Sequence, residues 1–571
     1  MKHFKIFRLG YGRLSPSGTA LVMFVWLVVA VMLPNFVFAF TEEYNGWSVA
    51  AGLVLPLGVY LLPLLFTRRV GVVTLVLLPV LALCIVQVVL LYIYGNSIIA
   101  ADMFTNIMTT NADESRELLG GVAPIVVAVS LIYLPPIFFA LRRLGDERYR
   151  LTENVRRGIA LVGAVLTVAG VQLLYPAGRV ADDDRIMRSE LFPVNVIHNF
   201  RIAIENRIAV RRYSRTSADF DHSACRESSS SQRDIYLFVI GESSRAANWE
   251  MYGYHRATNP KLSERDDILL FKNVLTQSNT THKSVPLMLS SVDAAEYSEL
   301  FNRKGVADLF RQAGFRTYFL STQSPQGAMV DNFARECNEV IYIGAPSDDW
   351  LLVQMMQRIV ESEPDTDMLF ILHSYGSHYR YNQRYLPRFA RFLPDTDGVV
   401  NERNIEALRN AYDNSVFYTD YLIDALAEYL SSLEACSAML YCSDHGEDLF
   451  DDDRGMFLHS SPRVTYYQLH IPCLAWFSDG YRERYPAKVA LAQQHRWSPA
   501  STSAMFHTLA DIASIDSPYL DKSKSLISVE FDESAARLYL DDGNCAVPID
   551  SRIGLTDMDR REFLLHGIRT I

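Results

Sequence analysis

Asp234-Ile235-Tyr236-Leu237-Phe238-Val239-Ile240-Gly241-Glu242-Ser243 is the stretch that decides the fold. Its apolar side chains, from Ile235 to Ile240, stop abruptly at a glycine and a carboxylate. A short unbroken apolar run bounded by polar turn residues reads as a strand buried on both faces. Similar runs recur at Thr317–Leu320, Met368–Leu372, Met439–Tyr441 and Pro472–Phe477, with helical stretches such as Gly305–Gly314 and Asn404–Leu430 between them. Strands alternating with helices predict an α/β sheet covered on both sides. Ligands of such sheets gather beyond the C-terminal strand ends. Polar residues follow three of these runs: Gly241-Glu242-Ser243, His373-Ser374-Tyr375-Gly376-Ser377-His378 and Ser443-Asp444-His445-Gly446-Glu447.

Upstream of this domain the chain changes character. At 571 residues it exceeds one ordinary core, so at least two domains are expected. Five runs carry the ~20 apolar residues that cross a bilayer as a helix: Ala20–Phe40, Trp47–Phe66, Val70–Tyr94, Val122–Leu141 and Gly158–Tyr175. Arginines and lysines crowd the segment before the first run (Lys2, Lys5, Arg8, Arg13), the second connection (Arg68, Arg69) and the fourth (Arg142, Arg143, Arg148, Arg150). The first and third connections are acidic. The positive-inside rule therefore places the N-terminus in the cytoplasm and everything past about residue 178 outside. The expected organisation is a five-helix membrane anchor over 1–178, a bridging segment and linker over 179–233, and an outer α/β domain over 234–571. The connection between the third and fourth runs lies outside. Asn106, Thr110 and Glu114 share one side of it at i, i+4, i+8, a spacing that a solvated loop helix also explains.

The net charge of −11 disfavours a nucleic-acid partner. Cysteine is modest, with Cys84 inside a span and Cys225, Cys337, Cys436, Cys442, Cys473 and Cys545 outside. An oxidising compartment permits pairing, but spacing does not give the connectivity. None of these shows a zinc-thiolate spacing.

A strand-end aspartate or histidine alone is most often a cap or surface group. Asp444 and His445 together, beside Gly446, make a ligand pair for a divalent ion, and Glu242 can supply a third ligand. Asn279-Thr280-Thr281-His282-Lys283-Ser284-Val285-Pro286 is a polar turn entering a helix. Its threonines read as an N-cap or, beside a metal, as an activated hydroxyl. Arg245 and Lys283 read as solvated charges, with phosphate contact the alternative.

Gly241-Glu242-Ser243-Ser244-Arg245-Ala246-Ala247-Asn248, Gly253-Tyr254 and Thr258-Asn259-Pro260 resemble the opening motif of the membrane-anchored phosphoethanolamine transferases that modify lipopolysaccharide and lipid A. These enzymes have an alkaline-phosphatase-like (sulfatase-like) fold. Thr281, five residues before Pro286, matches the family's nucleophile, and Ser443–Glu447 its metal motif. His373–His378 resembles its H-x-x-G-x-H stretch, Leu458-His459 its downstream histidine, and Met103, Asn106, Thr110 and Glu114 its periplasmic loop. Two departures stand out. Gln277 and Leu287 lie near positions that often carry cysteines, and Gln323 and Gln326 replace Ser and Lys in a phosphate-contacting loop. The tail beyond Ser525 has no counterpart.

The resemblance implies a multi-pass protein of the bacterial inner membrane with its catalytic domain in the periplasm. It implies Zn²⁺ held by Glu242, Thr281, Asp444 and His445, with Thr281 attacking phosphatidylethanolamine. His378 and His459 would hold the phosphate or move protons, and Asn106, Thr110 and Glu114 would contact the donor lipid. Phosphoethanolamine would then pass to lipopolysaccharide (lipid A or core) or another envelope glycan, lowering surface charge and polymyxin binding. Rival readings are a lipoteichoic-acid-synthase-like glycerol-phosphate transferase and a sulfatase-type hydrolase, though no C-x-P-x-R signature lies near Thr281. A non-catalytic envelope scaffold is a third.

Overall fold

The computed structural model describes residues 15–41, 46–93, 101–109, 123–180, 191–226, 232–344, 348–395, 404–460, 463–550 and 553–569. The chain falls into two compact units, one from Met1–Ile99 with Val122–His198, the other from Ala100–Gly121 with Asn199–Ile571.

The first unit is helical. Helices α1 (Pro16–Thr41), α6 (Ala123–Arg143) and α7 (Glu153–Val180) each contain a stretch long and apolar enough to span a membrane, as does α2 (Gly46–Leu61) together with the 3₁₀ turn that continues it to Leu65. The third expected span is instead a bent pair, α3 (Val70–Val76) and α4 (Leu78–Ile93), with a 60° angle between them. Pro79 explains the break, because its ring has no N–H to donate and crowds the carbonyl of Leu75 one turn back. Small residues bring α2 and α7 together: a Cβ on Gly58 would sit 2.4 Å from the Thr167 nitrogen, and one on Gly170 2.5 Å from Leu55 Cα. Apolar helices in lipid pack by close backbone approach of this kind.

The second unit contains helix α5 (Ala101–Thr109), most of α8 (Val194–Thr216) and a seven-stranded sheet. In chain order the strands are β1 (Asp234–Gly241), β2 (Ile268–Phe271), β3 (Arg316–Ser321), β4 (Glu339–Tyr342), β5 (Met368–His373), β6 (Cys436–Ser443) and β7 (Cys473–Phe477). Their spatial order is β2-β7-β6-β1-β5-β3-β4, with β7 antiparallel to both neighbours. Tyr236, Phe238 and Ile240 join a core with Phe310, Phe319, Met505 and Phe506 on one face. The alternate residues Ile235, Leu237 and Val239 are equally buried, so β1 is covered on both sides as its composition predicts. Parallel pairing sets Ile240 opposite His373 and Gly241 opposite Ser443. The three polar strand ends therefore finish at one level.

Candidate metal and nucleophile site

The site is assembled where β1, β5 and β6 end. Asp444 N–H donates to the Gly241 carbonyl at 2.9 Å, and Ser243 N–H returns a bond to Asp444 Oδ1 at 3.0 Å. Two glycines make the approach possible. Gly376 has φ +52°, and a Cβ there would lie 2.8 Å from the Glu242 carbonyl oxygen. A Cβ on Gly446 would lie 2.0 Å from the Tyr467 carbonyl oxygen.

Thr281 opens helix α9 (Thr281–Met288). Thr280 is the extended residue before it, and its carbonyl accepts from the N–H groups of Lys283 (3.1 Å) and Ser284 (2.8 Å). Its hydroxyl makes no cap bond to the helix. The hydroxyls of Ser284 and Thr276 both donate to the Asp444 carbonyl, at 2.6 and 2.5 Å, tying the nucleophile turn to the β6 end. Gln277 accepts from Ala294 N–H at 2.8 Å and its own N–H reaches Thr502 Oγ1 at 3.1 Å, while Leu287 is fully buried. Hydrogen bonds and packing thus stand where cysteines were expected from the resemblance.

Thr281 Oγ1 lies 3.2 Å from both carboxylate oxygens of Glu242 and 3.2 Å from His445 Nε2. His445 Nε2 is 3.3 Å from Asp444 Oδ2 and 3.6 Å from Glu242 Oε1. Zinc ligands stand at ~2.0–2.2 Å, so neighbouring corners of a tetrahedron around it are roughly 3.3–3.6 Å apart. The observed spacings agree with that. His445 Nδ1 sits 3.0 Å from the Gly446 carbonyl, which can only accept, so Nδ1 carries the proton and Nε2 presents its lone pair. Asp444 Oδ2 is buried and has no hydrogen-bond partner among the described residues. Glu242, Asp444 and His445 form a buried set whose ligand atoms lie within 4.8 Å of one another, and the donors fit a divalent cation.

Electrostatics agree. Burial, then the neighbouring Asp444 charge, pushes the Glu242 carboxyl up to about 8. Burial pushes Asp444 up to about 7 and lowers His445 to about 4. Two carboxylates in one dry site repel unless a cation or protons compensate them.

The remaining expected residues are placed as follows. The His459 ring lies 4.1 Å from that of His445 and 6.5 Å from that of His378. Glu447 Oε1 holds His459 Nδ1 at 3.1 Å, and Tyr381 OH donates to Glu447 Oε2 at 2.7 Å. His378 Nδ1 is buried and has no hydrogen-bond partner among the described residues. Burial lowers both imidazoles, His459 to about 3, and keeps them neutral. Gln323, noted in the sequence only as a departure, donates to Glu242 Oε2 at 3.0 Å and to the Ser374 carbonyl at 2.9 Å. Arg245 is neither solvated nor a phosphate ligand: it is buried and bonded to both oxygens of Asp451, at 2.6 and 2.9 Å. Lys283 is also buried rather than solvated. It reaches Asp102 Oδ1 at 2.9 Å and the Asp541 carbonyl at 2.9 Å. Asn106 lies on α5, its side chain outside the described set, and Thr110 and Glu114 lie outside the described residues.

Sequence reasoning missed two braces. Asp102 on α5 also meets His282 Nε2 at 3.2 Å, beside the nucleophile. The tail, which showed no motif, supplies a strand pair whose Leu540 N–H donates to the Gln277 carbonyl at 2.7 Å. No periodicity or spacing marks either contact.

A mostly parallel sheet whose strand ends gather two carboxylates and an imidazole around a threonine hydroxyl defines a member of the alkaline phosphatase/sulfatase superfamily. The sequence model of the Sulfatase family matches residues 234–515, and that of "Phosphoethanolamine transferase EptA/EptB" matches 59–207. The chain belongs to the membrane-anchored phosphoethanolamine transferases of that superfamily, and it is a transferase. It is 25% identical over 450 residues to phosphoethanolamine transferase EptA of Escherichia coli (strain K12), covering 75% of this chain and 81% of that one. The solved integral membrane protein lipooligosaccharide phosphoethanolamine transferase A of Neisseria meningitidis superposes with TM-score 0.69 at 24% identity, covering 89% of this chain and 98% of that one. The C-terminal periplasmic domain of EptC from Escherichia coli, solved in complex with Zn, superposes with TM-score 0.53 at 23% identity, covering 59% and 97%.

Proposed function

We propose that this enzyme transfers phosphoethanolamine from phosphatidylethanolamine to lipopolysaccharide, on lipid A or core, or to another envelope glycan. The observation that carries the reading is the Thr281 hydroxyl at metal-ligand spacing from Glu242 and His445. Glu242, Asp444, His445 and Thr281 are the residues that would hold zinc, and a bound zinc ion lowers the pKa of a coordinated hydroxyl. Thr281, whose hydroxyl proton would be released to solvent once a metal is held, attacks the donor phosphorus through its oxygen. The bond from phosphorus to the diacylglycerol oxygen breaks, and diacylglycerol leaves with its electron pair. His378 and His459 are neutral before the donor arrives. The phosphate's negative charge favours their protonated forms, so they can bind it and protonate the leaving oxygen. In the second half, the acceptor oxygen attacks the phosphoethanolamine on Thr281, the same imidazoles take its proton, and Thr281 is regenerated.

The apolar anchor supports a lipid donor, and the charge pattern of its connections supports a cytoplasmic N-terminus and a periplasmic catalytic domain in the inner membrane. The test is incubation of the full chain with donor lipid labelled in ethanolamine, followed by intact-protein mass measurement. A phosphoethanolamine adduct on the wild type and none on Thr281→Ala supports the reading; an adduct on both excludes Thr281 as nucleophile.

A further inference from the structure

Strands β6 and β7 run antiparallel, with Cys442 directly opposite Cys473. Their hydrogen-bonding phase fixes what that pairing means. Ser443 N–H donates to the Pro472 carbonyl at 3.1 Å, and Ser478 N–H to the Ser437 carbonyl at 2.9 Å. Hydrogen-bonded and non-hydrogen-bonded pairs alternate along an antiparallel ladder, so Cys442 and Cys473 occupy a non-hydrogen-bonded pair. Consistent with this, the N–H of Cys473 faces away from β6 and donates to Tyr252 OH at 2.9 Å, and its carbonyl accepts from the same hydroxyl at 3.3 Å. Such pairs hold their Cα atoms ~4.5 Å apart with side chains on the same face. That separation lies within the span of a disulfide, at its short end. Both residues are fully buried, and the Cys442 thiol donates to the Ser443 carbonyl at 3.4 Å.

We propose that Cys442 and Cys473 are joined by a disulfide in the mature protein. The inference rests on the outer placement of the catalytic domain proposed above, because a thiol pair in this geometry persists only in a reducing compartment. The oxidant is a dithiol-disulfide protein of the outer compartment, acting before the strands close. Its disulfide is attacked by one cysteine thiolate, and the second cysteine displaces it from the mixed disulfide. The two protein thiols lose two electrons and two protons, and the oxidant leaves as a dithiol. The bond would staple β7 to β6 two residues before Asp444. The metal-ligating turn would thereby gain a covalent anchor, whereas the nucleophile turn depends on the hydrogen bonds of Gln277.

The test uses the full chain in its native membrane. Membranes are denatured directly in an alkylating reagent and the protein is digested without reduction. The expected product is one cross-linked species joining the Cys442 and Cys473 peptides, two hydrogens lighter than their sum, that separates on reduction. In parallel, exposed Cys225 is probed on intact spheroplasts with a membrane-impermeant maleimide. Labelled Cys225 with alkylated Cys442 and Cys473 overturns the disulfide and leaves the placement standing. Cys225 labelled only after lysis overturns the placement and the disulfide with it. In Cys442→Ser, Cys473 should become alkylated, and the thermal midpoint should fall to that of reduced wild type. A wild-type midpoint indifferent to dithiothreitol argues against the staple.

Discussion

Asp102 and Lys283 form a buried ion pair at 2.9 Å, joining helix α5 to the first turn of the helix that Thr281 opens. The same carboxylate oxygen lies 3.2 Å from His282 Nε2, so both residues that follow the nucleophile are held by one acid.

Asp102→Asn should therefore destabilise the protein and disturb the nucleophile turn. Removing one partner of a buried pair costs about 3 kcal/mol, because the other charge is left uncompensated. Burial raises the Asp102 carboxyl, but Lys283 and His282 outweigh it and hold it below its ordinary value. A depressed carboxyl contributes stability that is complete above the unfolded-state pKa and is lost as pH falls through the folded one. The gap in thermal midpoint between wild type and Asp102→Asn should thus be full at neutral pH and close in strong acid.

Thr281→Ala should lower transfer by at least about 10³-fold, since no neighbouring hydroxyl occupies the same point among the ligands. Thr281→Ser should keep part of the activity. Single-turnover assays with labelled donor lipid measure both, and circular dichroism should show the wild-type fold in each variant.

Glu242 and Asp444 must both be ionised to hold a cation, and their carboxyls stand at about 8 and about 7. Protons therefore compete with the metal across the neutral range. Apparent zinc affinity should rise with pH until both groups are ionised. It should fall in acid by up to about tenfold per pH unit for each group protonated. Competition with a chromophoric chelator over a pH series reads this directly, and exhaustive chelation should abolish transfer until zinc is restored.

Gln323→Leu should weaken the metal site without touching the metal. The amide steadies the Glu242 carboxylate at 3.0 Å, and losing such an outer partner typically costs ~10–100-fold in metal affinity. Zinc titration should show that loss with little change in thermal midpoint measured at saturating metal.

The sheet was legible because β1, β5 and β6 carry apolar runs too long and too unbroken for half-exposed strands. The candidate metal set could be drawn from the sequence because its residues sit at the ends of those runs, and the structure brings Glu242, Asp444 and His445 together. The bend in the third span had a visible cause in Pro79. What stayed hidden depends on contacts between distant parts of the chain. Lys283 has the composition of a surface residue, and its burial is accounted for by the approach of Asp102, 181 positions earlier, and of the Asp541 carbonyl. Arg245 is similar, since its partner Asp451 lies beyond five intervening strands of the sheet. Gln323 could be seen to differ from the resembling family, but not to face Glu242. The tail, unlike the strands, offered no periodic pattern to read.

That tail has a consequence for how the enzyme comes into being. Leu540 and Asp541 leave the ribosome long after Thr281, and their backbone groups close the turn that presents it. A nascent chain that has not yet reached them lacks this clasp, so the turn is completed only after the sheet that faces it has been made.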